Sequence, residues 1–137
     1  QLSKRYADKW IFRDVSLKAE RGEIFGIIGE NSSGKSTLLR LIHGSEKPNS
    51  GEIYFDEKDL TQTKERGFVF PHNQNSKAWK TLFVSDKSSD SERQIESLSA
   101  QIKTAESVVL LDNPCLCLDQ RAREELFGTL KKTAKEK

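Results

Sequence analysis

The sequence predicts an α/β domain with a parallel sheet, on two observations. Two short apolar runs, Ile24–Ile28 and Val108–Leu111, lack polar alternation, which is typical of strands that helices cover on both faces. Each run is followed by a segment with helical periodicity. Because strands that alternate with helices usually join a parallel sheet, we expect a parallel core.

The first predicted helix follows a loop at Gly29–Gly34 and ends near His43. Gly44 then stands at the position where a helix commonly stops. The apolar residues of this helix recur at helical spacing: Leu38, Leu39, Leu41 and Ile42. One face of the helix is therefore expected to be buried.

Two more helices are predicted in the second half of the chain. The helix over Ser91–Ala105 has Asp90 or Ser91 as its N-cap. Its apolar residues recur at intervals of four, four and three: Ile95, Leu98, Ile102 and Ala105. A closing helix is predicted over Asp119–Lys132.

Short strands are predicted in the middle of the chain. A turn at Pro48–Gly51 precedes a strand at Glu52–Asp56. A second strand, Gly67–Phe70, ends at Pro71, which cannot donate to a sheet ladder. The polar stretch that follows, His72–Ser91, has weak structure signals.

Length and composition limit the classes of protein. With 137 residues, 34% hydrophobic and 32% charged, the chain suits one cored domain over 1–137. Its 23 basic and 21 acidic residues are spread along the whole length, so we expect no nucleic-acid partner. No apolar run reaches the roughly 18 residues of a membrane span, and the N-terminus has no signal-peptide core. The protein is therefore expected to be cytoplasmic, with no direct membrane insertion.

A phosphate-binding loop is the clearest motif. The pattern of glycine, four residues, glycine, lysine and serine lies between a predicted strand and a predicted helix. The predicted nucleotide-binding residues are Gly29, Glu30, Asn31, Ser32, Ser33, Gly34, Lys35, Ser36 and Thr37. The glycines allow backbone N–H groups to face phosphate oxygens, and the helix N-terminus adds positive charge there. Lys35 would reach the β- and γ-phosphates, and the Ser36 hydroxyl would coordinate Mg²⁺.

An acidic residue ends the later apolar run. Val108–Asp112 has the form of a Walker B motif, in which Asp112 would help to hold the Mg²⁺ shell. The Walker A and Walker B motifs together predict a P-loop NTPase. They do not separate kinases, GTPases and transport ATPases, although the sequence has no Asn-Lys-x-Asp run that would read guanine.

Three passages closely resemble the nucleotide-binding domain of ATP-binding-cassette (ABC) proteins. They are the P-loop with its following leucines, Pro48–Ile53, and Asn113–Asp119, which is similar to the family's passage from Walker B to the D-loop. The resemblance covers about residues 2–56 and 107–127. It implies a P-loop NTPase fold with a mainly parallel sheet and a small antiparallel β-part. It also implies ATP and Mg²⁺ as ligands.

The resemblance has further implications for partners and for the base of the nucleotide. The partners would be a membrane transport subunit or a second ABC domain, which places the protein peripherally at the inner face of a membrane. Tyr6 lies where the family stacks an aromatic residue on adenine. Stacking suits a base, because a π-face offers contact area. The alternative for Tyr6 is an ordinary surface or core tyrosine.

Several positions depart from the family pattern. Pro71 holds the place of the Q-loop glutamine. The signature motif falls on Ser88–Glu92, where only Ser89 matches and two glycines are replaced by Asp90 and Ser91. These replacements add side chains and a negative charge where a polyphosphate would approach. They argue against a closed dimer that holds ATP between two copies of the domain.

The helical subdomain of the family is expected to be largely absent. Only 16 residues lie between Pro71 and Ser88, where the family usually has several helices. The sequence ends at Lys137, before the expected switch histidine, so the domain is expected to be incomplete at its C-terminus. His43 is expected to be a surface or capping residue.

Asn113 occupies the position of the catalytic glutamate. An amide can orient water but cannot accept its proton, and general-base catalysis is typically worth about 10²–10⁴ in rate. We therefore expect Mg·ATP binding with weak or absent hydrolysis, which leaves it uncertain that the protein is an enzyme.

The alternatives are a non-enzymatic module in which nucleotide occupancy regulates a partner, and a small P-loop kinase. A kinase would need an Arg-rich lid, whereas the stretch from His72 to Ser91 has only lysines as basic residues apart from His72 itself.

Overall fold

The computed structural model describes residues 1–61, 91–104, 108–115 and 118–136. The chain folds into two compact units, Gln1–Phe68 and Val69–Lys137. Each unit has its own hydrophobic core. The prediction of one domain over 1–137 stays a prediction.

The first unit opens with a β-hairpin. Strand β1 (Leu2–Tyr6) pairs antiparallel with strand β2 (Lys9–Val15), and Tyr6 lies opposite Lys9 across a tight turn. Ala7, in the turn, has a φ of 48°. This hairpin places Tyr6 at the end of β1.

Helix α1 (Lys35–His43) follows the loop, as predicted. It ends at Gly44, whose φ of 89° is left-handed and whose N–H donates to the carbonyls of Arg40 and Leu41. Glycine adopts that conformation without steric cost, which explains the helix stop. The core of this unit joins α1 to the hairpin through three buried residues, Leu2, Leu38 and Leu41. The residues that pack against them are Phe12, Ile27, Ile42 and Ile53.

A second, shorter hairpin follows. Strand β3 (Tyr54–Phe55) pairs antiparallel with strand β4 (Lys58–Asp59). The turn residues Asp56 and Glu57 both have positive φ, 46° and 63°, which is typical of a two-residue type I′ turn. The strand predicted at Glu52–Asp56 is therefore confirmed in its centre, whereas Gly67–Phe70 lies outside the described residues.

The buried strand predicted at Ile24–Ile28 is wrong. This segment has no strand conformation, and the Ile28 side chain is 96% exposed. A central parallel strand needs pairing partners at both edges and helices on both faces. In the described part of the first unit both sheets have only two strands, β1 with β2 and β3 with β4, so no strand there pairs with this segment.

The second predicted buried strand, Val108–Leu111, also differs from the structure. Of these four residues only Val109 forms a β-bridge, and no continuous strand is present, although Leu110 is buried. Both sheets found within the described ranges are two-stranded and antiparallel. The small antiparallel β-part is thus present, and the parallel sheet is absent from those ranges.

Two helices form the core of the second unit. Helix α2 (Ser91–Thr104) and helix α3 (Gln120–Glu136) agree with the predicted helices, and α3 extends four residues beyond Lys132. The Asp119 carboxylate accepts from the Ala122 N–H at 2.8 Å, which caps the start of α3. The buried residues of this core are Ile95, Ile102, Leu118, Ala122 and Leu126. Asp90 and Ala105 lie outside the described residues.

The helices in the described ranges are too short or too polar to cross a membrane.

Candidate functional site

The loop before α1 ends at an uncapped helix N-terminus. Gly34 is the N-cap residue, and no side chain accepts from the first turn. The first helical hydrogen bond is donated by the Leu38 N–H to the Gly34 carbonyl at 2.8 Å. The N–H groups of Lys35, Ser36 and Thr37 precede that bond, so they have no acceptor one helical turn back. This end of α1 is therefore electropositive.

Lys35 adds a full positive charge at the same place. Its ammonium donates to the carbonyl of Gly29 at 2.9 Å and to the carbonyl of Glu30 at 2.6 Å. These bonds fold the side chain back along the loop. The ammonium and the helix N-terminus thus lie on one short segment, which is the arrangement that an anionic ligand requires.

Gly34 is the position in the loop that admits only glycine. Its φ is 96°, and an added Cβ would lie 2.5 Å from Cγ2 of Ile11 on β2. The close approach of β2 thus explains why the second glycine of the motif is required. The rest of the loop, Gly29–Ser33, is exposed.

Ser36 and Thr37 differ in their surroundings. Ser36 is half-buried in the first turn of α1, whereas Thr37 is buried. The Arg40 guanidinium donates to the Thr37 hydroxyl at 3.3 Å. Thr37 therefore contributes to internal packing, and Ser36 keeps part of its surface accessible.

Asp112 and Asn113 belong to the second unit. The Asp112 side chain is 5% exposed, and Asn113 beside it is exposed with a φ of 49°. The described residues contain no cluster of three or more His, Cys, Asp or Glu side chains that could hold a metal alone. Mg²⁺ needs no such cluster, because it is usually bound by one or two protein oxygens together with phosphates and water. The donor types of Ser36 and Asp112, a hydroxyl and a carboxylate, fit Mg²⁺ chemically.

Tyr6 is partly exposed and held at its hydroxyl group. The hydroxyl donates to the Glu46 carboxylate, and 42% of the residue is exposed. Burial and the hydrogen bond to Glu46 raise the pKa of the Tyr6 hydroxyl above its ordinary value. The hydroxyl therefore stays protonated as a donor at neutral pH. Stacking on a base remains a prediction for this residue.

The residues around Tyr6 were not predicted from the sequence. Glu46 forms ion pairs with Lys4 at 3.4 Å and with Arg40 at 2.8 Å. Lys4 lies on β1, Arg40 on α1, and Glu46 just after α1. Their positions in the sequence carry no signal of this contact, since it depends on how the hairpin packs against the helix.

The sequence is similar to several known proteins. Residues 12–124 match the family described as ABC transporter. The chain is 48% identical over 65 residues to a phosphonates import ATP-binding protein of Fusobacterium nucleatum, covering 47% of this chain and 26% of that protein. It is 31% identical over 172 aligned residues to a probable sulfate/thiosulfate import ATP-binding protein of Chlorella vulgaris, covering 95% of this chain and 72% of that protein.

A third relative is a methionine import ATP-binding protein of Bacillus thuringiensis. It is 57% identical over 54 residues, which cover 38% of this chain and 16% of that protein. The chain thus spans from about a sixth to about three quarters of the length of these relatives. The family match nevertheless extends from β2 into α3. This protein therefore belongs to the ABC transporter family.

Proposed function

We propose that this protein binds Mg·ATP through Gly29–Thr37, as the ATP-binding domain of an ABC-type system, and hydrolyses it weakly or not at all. One observation carries the proposal. The uncapped N-terminus of α1 and the Lys35 ammonium, which donates to the carbonyls of Gly29 and Glu30, lie beside the exposed loop Gly29–Ser33. Together they supply the N–H donors and the cation that a polyphosphate needs.

The phosphate contacts follow from the loop. Residues Gly29–Ser33 are exposed, which leaves the loop open to a phosphate ligand. Within the loop, the Ser33 N–H donates to the Glu30 carbonyl at 3.3 Å. Lys35 exchanges its two carbonyl acceptors for β- and γ-phosphate oxygens. This exchange is favourable, because hydrogen bonds between charged partners are stronger than bonds to a neutral carbonyl.

Ser36 and Asp112 are each proposed as a ligand of Mg²⁺, on the motif in which each stands. When bound, the ion neutralises charge on the β- and γ-phosphates. Ser36 offers a hydroxyl oxygen at the start of α1, next to the proposed phosphate position. Asp112 offers a carboxylate, and its burial limits the number of conformations that the side chain can adopt.

We assign binding of the adenine base to Tyr6. Its ring is partly exposed, and it lies on the hairpin that packs against α1. Aromatic rings bind bases through their faces. In this proposal Tyr6 contacts adenine, and the loop contacts the phosphates.

Weak hydrolysis is inferred from Asn113. Its φ of 49° is left-handed, a conformation that asparagine tolerates better than most residues. Its amide orients water but takes no proton from it. The second candidate function, a module whose nucleotide occupancy regulates a partner, is favoured by the same residue. A phosphate-release assay separates the two, since only an ATPase releases phosphate with repeated turnover.

Partners and location are inferred from the relatives. Two of those named above are import ATP-binding proteins and a third is a probable one. We infer that this protein acts at the cytoplasmic face of a membrane, with a transport subunit or a second ABC domain, and without inserting into the bilayer. The proposed domain is 1–137, and the stretch in which the helical subdomain is expected to be largely absent lies outside the described residues.

Equilibrium titration with ATP tests the binding proposal. We expect saturable binding of ATP in the presence of Mg²⁺, weaker binding in EDTA, and displacement by inorganic tripolyphosphate. Displacement is expected because the loop contacts phosphate rather than base. Binding that tripolyphosphate does not displace would place the nucleotide elsewhere on the protein.

A further inference from the structure

Glu46 connects Tyr6, the residue proposed to bind the adenine base, to helix α1, which follows the phosphate-binding loop. Its Oε2 accepts from the Tyr6 hydroxyl and lies 3.4 Å from the Lys4 ammonium. Its Oε1 lies 2.8 Å from Nε of Arg40 on α1. One carboxylate therefore holds residues from β1 and from α1 at the same time.

Backbone contacts support this connection. The Glu46 N–H donates to the Arg40 carbonyl at 3.3 Å, which fixes Glu46 to the end of α1. The Lys4 ammonium donates to the Lys47 carbonyl at 2.7 Å, and the Arg5 N–H donates to the Asn49 side chain at 2.8 Å. The end of β1 is thus attached to the segment that leaves α1.

Part of the Tyr6 residue stays accessible beside these contacts. The Lys4 ammonium lies over the ring, 5.0 Å from its centroid. Tyr6 is still 42% exposed. In this proposal a base stacks on the accessible part of the ring.

We propose that Glu46 is the positioning residue of the base site, which holds the Tyr6 ring at a fixed place relative to the phosphate loop. This inference rests on the proposed function. A ring that is already held loses little side-chain freedom when a base stacks on it, so more of the contact energy appears as affinity. In this proposal Glu46 acts through the Tyr6 ring and not by contact with the nucleotide.

A second tyrosine provides a matched control. The Tyr54 hydroxyl donates to Glu52 at 2.8 Å, and Tyr54 is 57% exposed. Tyr54 and Glu52 are two residues apart in the sequence, so this pair does not connect a strand to α1. Removal of either partner should leave nucleotide binding unchanged.

The test compares the dissociation constants for ATP and for inorganic tripolyphosphate. Tyr6→Phe keeps the ring and removes the hydroxyl, whereas Glu46→Ala removes its acceptor. Each is expected to weaken ATP binding about 3- to 10-fold, the effect of freeing one side chain. Tripolyphosphate affinity should stay at the wild-type value. The double variant should be no weaker than Glu46→Ala alone, because Glu46→Ala already removes the carboxylate to which the Tyr6 hydroxyl donates.

Several outcomes would overturn the inference. They are unchanged ATP affinity in Tyr6→Phe, losses that add in the double variant, an equal loss for tripolyphosphate, or the same loss in Tyr54→Phe and Glu52→Ala. If circular dichroism shows that Glu46→Ala is unfolded, Tyr6→Phe alone decides. Failure of the wild type to bind either ligand contradicts the proposed function instead, so the two failures are distinguishable.

Discussion

Replacement of Lys35 by alanine is expected to weaken Mg·ATP binding by about 10- to 150-fold, since a hydrogen bond to a charged group contributes about 1.5–3 kcal/mol. In the structure this ammonium lies on the loop carbonyls of Gly29 and Glu30. These acceptors are on exposed residues, so water can replace the lysine there. The loss should therefore appear in affinity rather than in folding, and equilibrium dialysis with circular dichroism measures both.

Lys18→Ala is the matched control for this experiment. Lys18 is an exposed lysine in the same unit, and its ammonium pairs with Glu20 at 2.6 Å. It lies outside the phosphate loop, so its removal lowers the net charge equally and should leave ATP affinity within about twofold, as is usual for exposed ion pairs. Equal losses in the two variants would mean that general charge, and not the loop, binds the nucleotide.

Replacement of Asn113 by glutamate is expected to raise phosphate release by about 10²–10⁴-fold, the usual contribution of a general base. In the proposed site a carboxylate at this position would accept the proton of the attacking water, which the amide of asparagine cannot do. The substitution also carries a cost. The left-handed φ of 49° suits asparagine, and another residue there loses roughly 1–2 kcal/mol of stability.

Two controls separate the effect of the carboxylate from changes in shape. Asn113→Gln matches glutamate in length and backbone strain but has no basic group, so its rate should stay at the wild-type value. Asn113→Glu combined with Lys35→Ala should lose the gained activity. If Asn113→Glu releases phosphate no faster than Asn113→Gln, a residue other than Asn113 limits hydrolysis, and the role given to Asn113 is wrong.

The helices could be predicted from the sequence because their signals are local. The apolar spacing of α1 and the stop at Gly44 lie within ten residues of one another. Apolar spacing likewise predicted α2 and α3, and the Asp119 cap lies next to the helix that it starts. Such signals do not depend on distant parts of the chain.

The strands were harder to predict for the opposite reason. Ile24–Ile28 has the composition of a buried strand, yet a strand exists only when partners pair with its edges. Within the described first unit the hairpin strands pair with one another. The apolar run stays exposed at Ile24, Phe25 and Ile28, and only Ile27 packs against the core. The composition of this segment indicates a tendency to form a β-strand, but it does not show whether another strand pairs with it.

In the candidate site, too, local features could be predicted from the sequence and contacts formed by packing could not. The motif predicted that Lys35 lies at a helix N-terminus, and the structure has it there. No motif connects Glu46 with Lys4, Tyr6 and Arg40, since their contact depends on the packing of β1 against the end of α1. Packing of this kind joins residues about 40 positions apart, beyond the reach of a local pattern.

Thermal unfolding with and without Mg·ATP tests the central claim most directly. A ligand at about 100 times its dissociation constant stabilises the folded state by roughly 2.7 kcal/mol. For a domain of this size we expect the midpoint of unfolding to rise by about 5–10 °C. Mg²⁺ alone should give no such rise, and Lys35→Ala should lose it. An unchanged midpoint at millimolar Mg·ATP would contradict nucleotide binding by Gly29–Thr37.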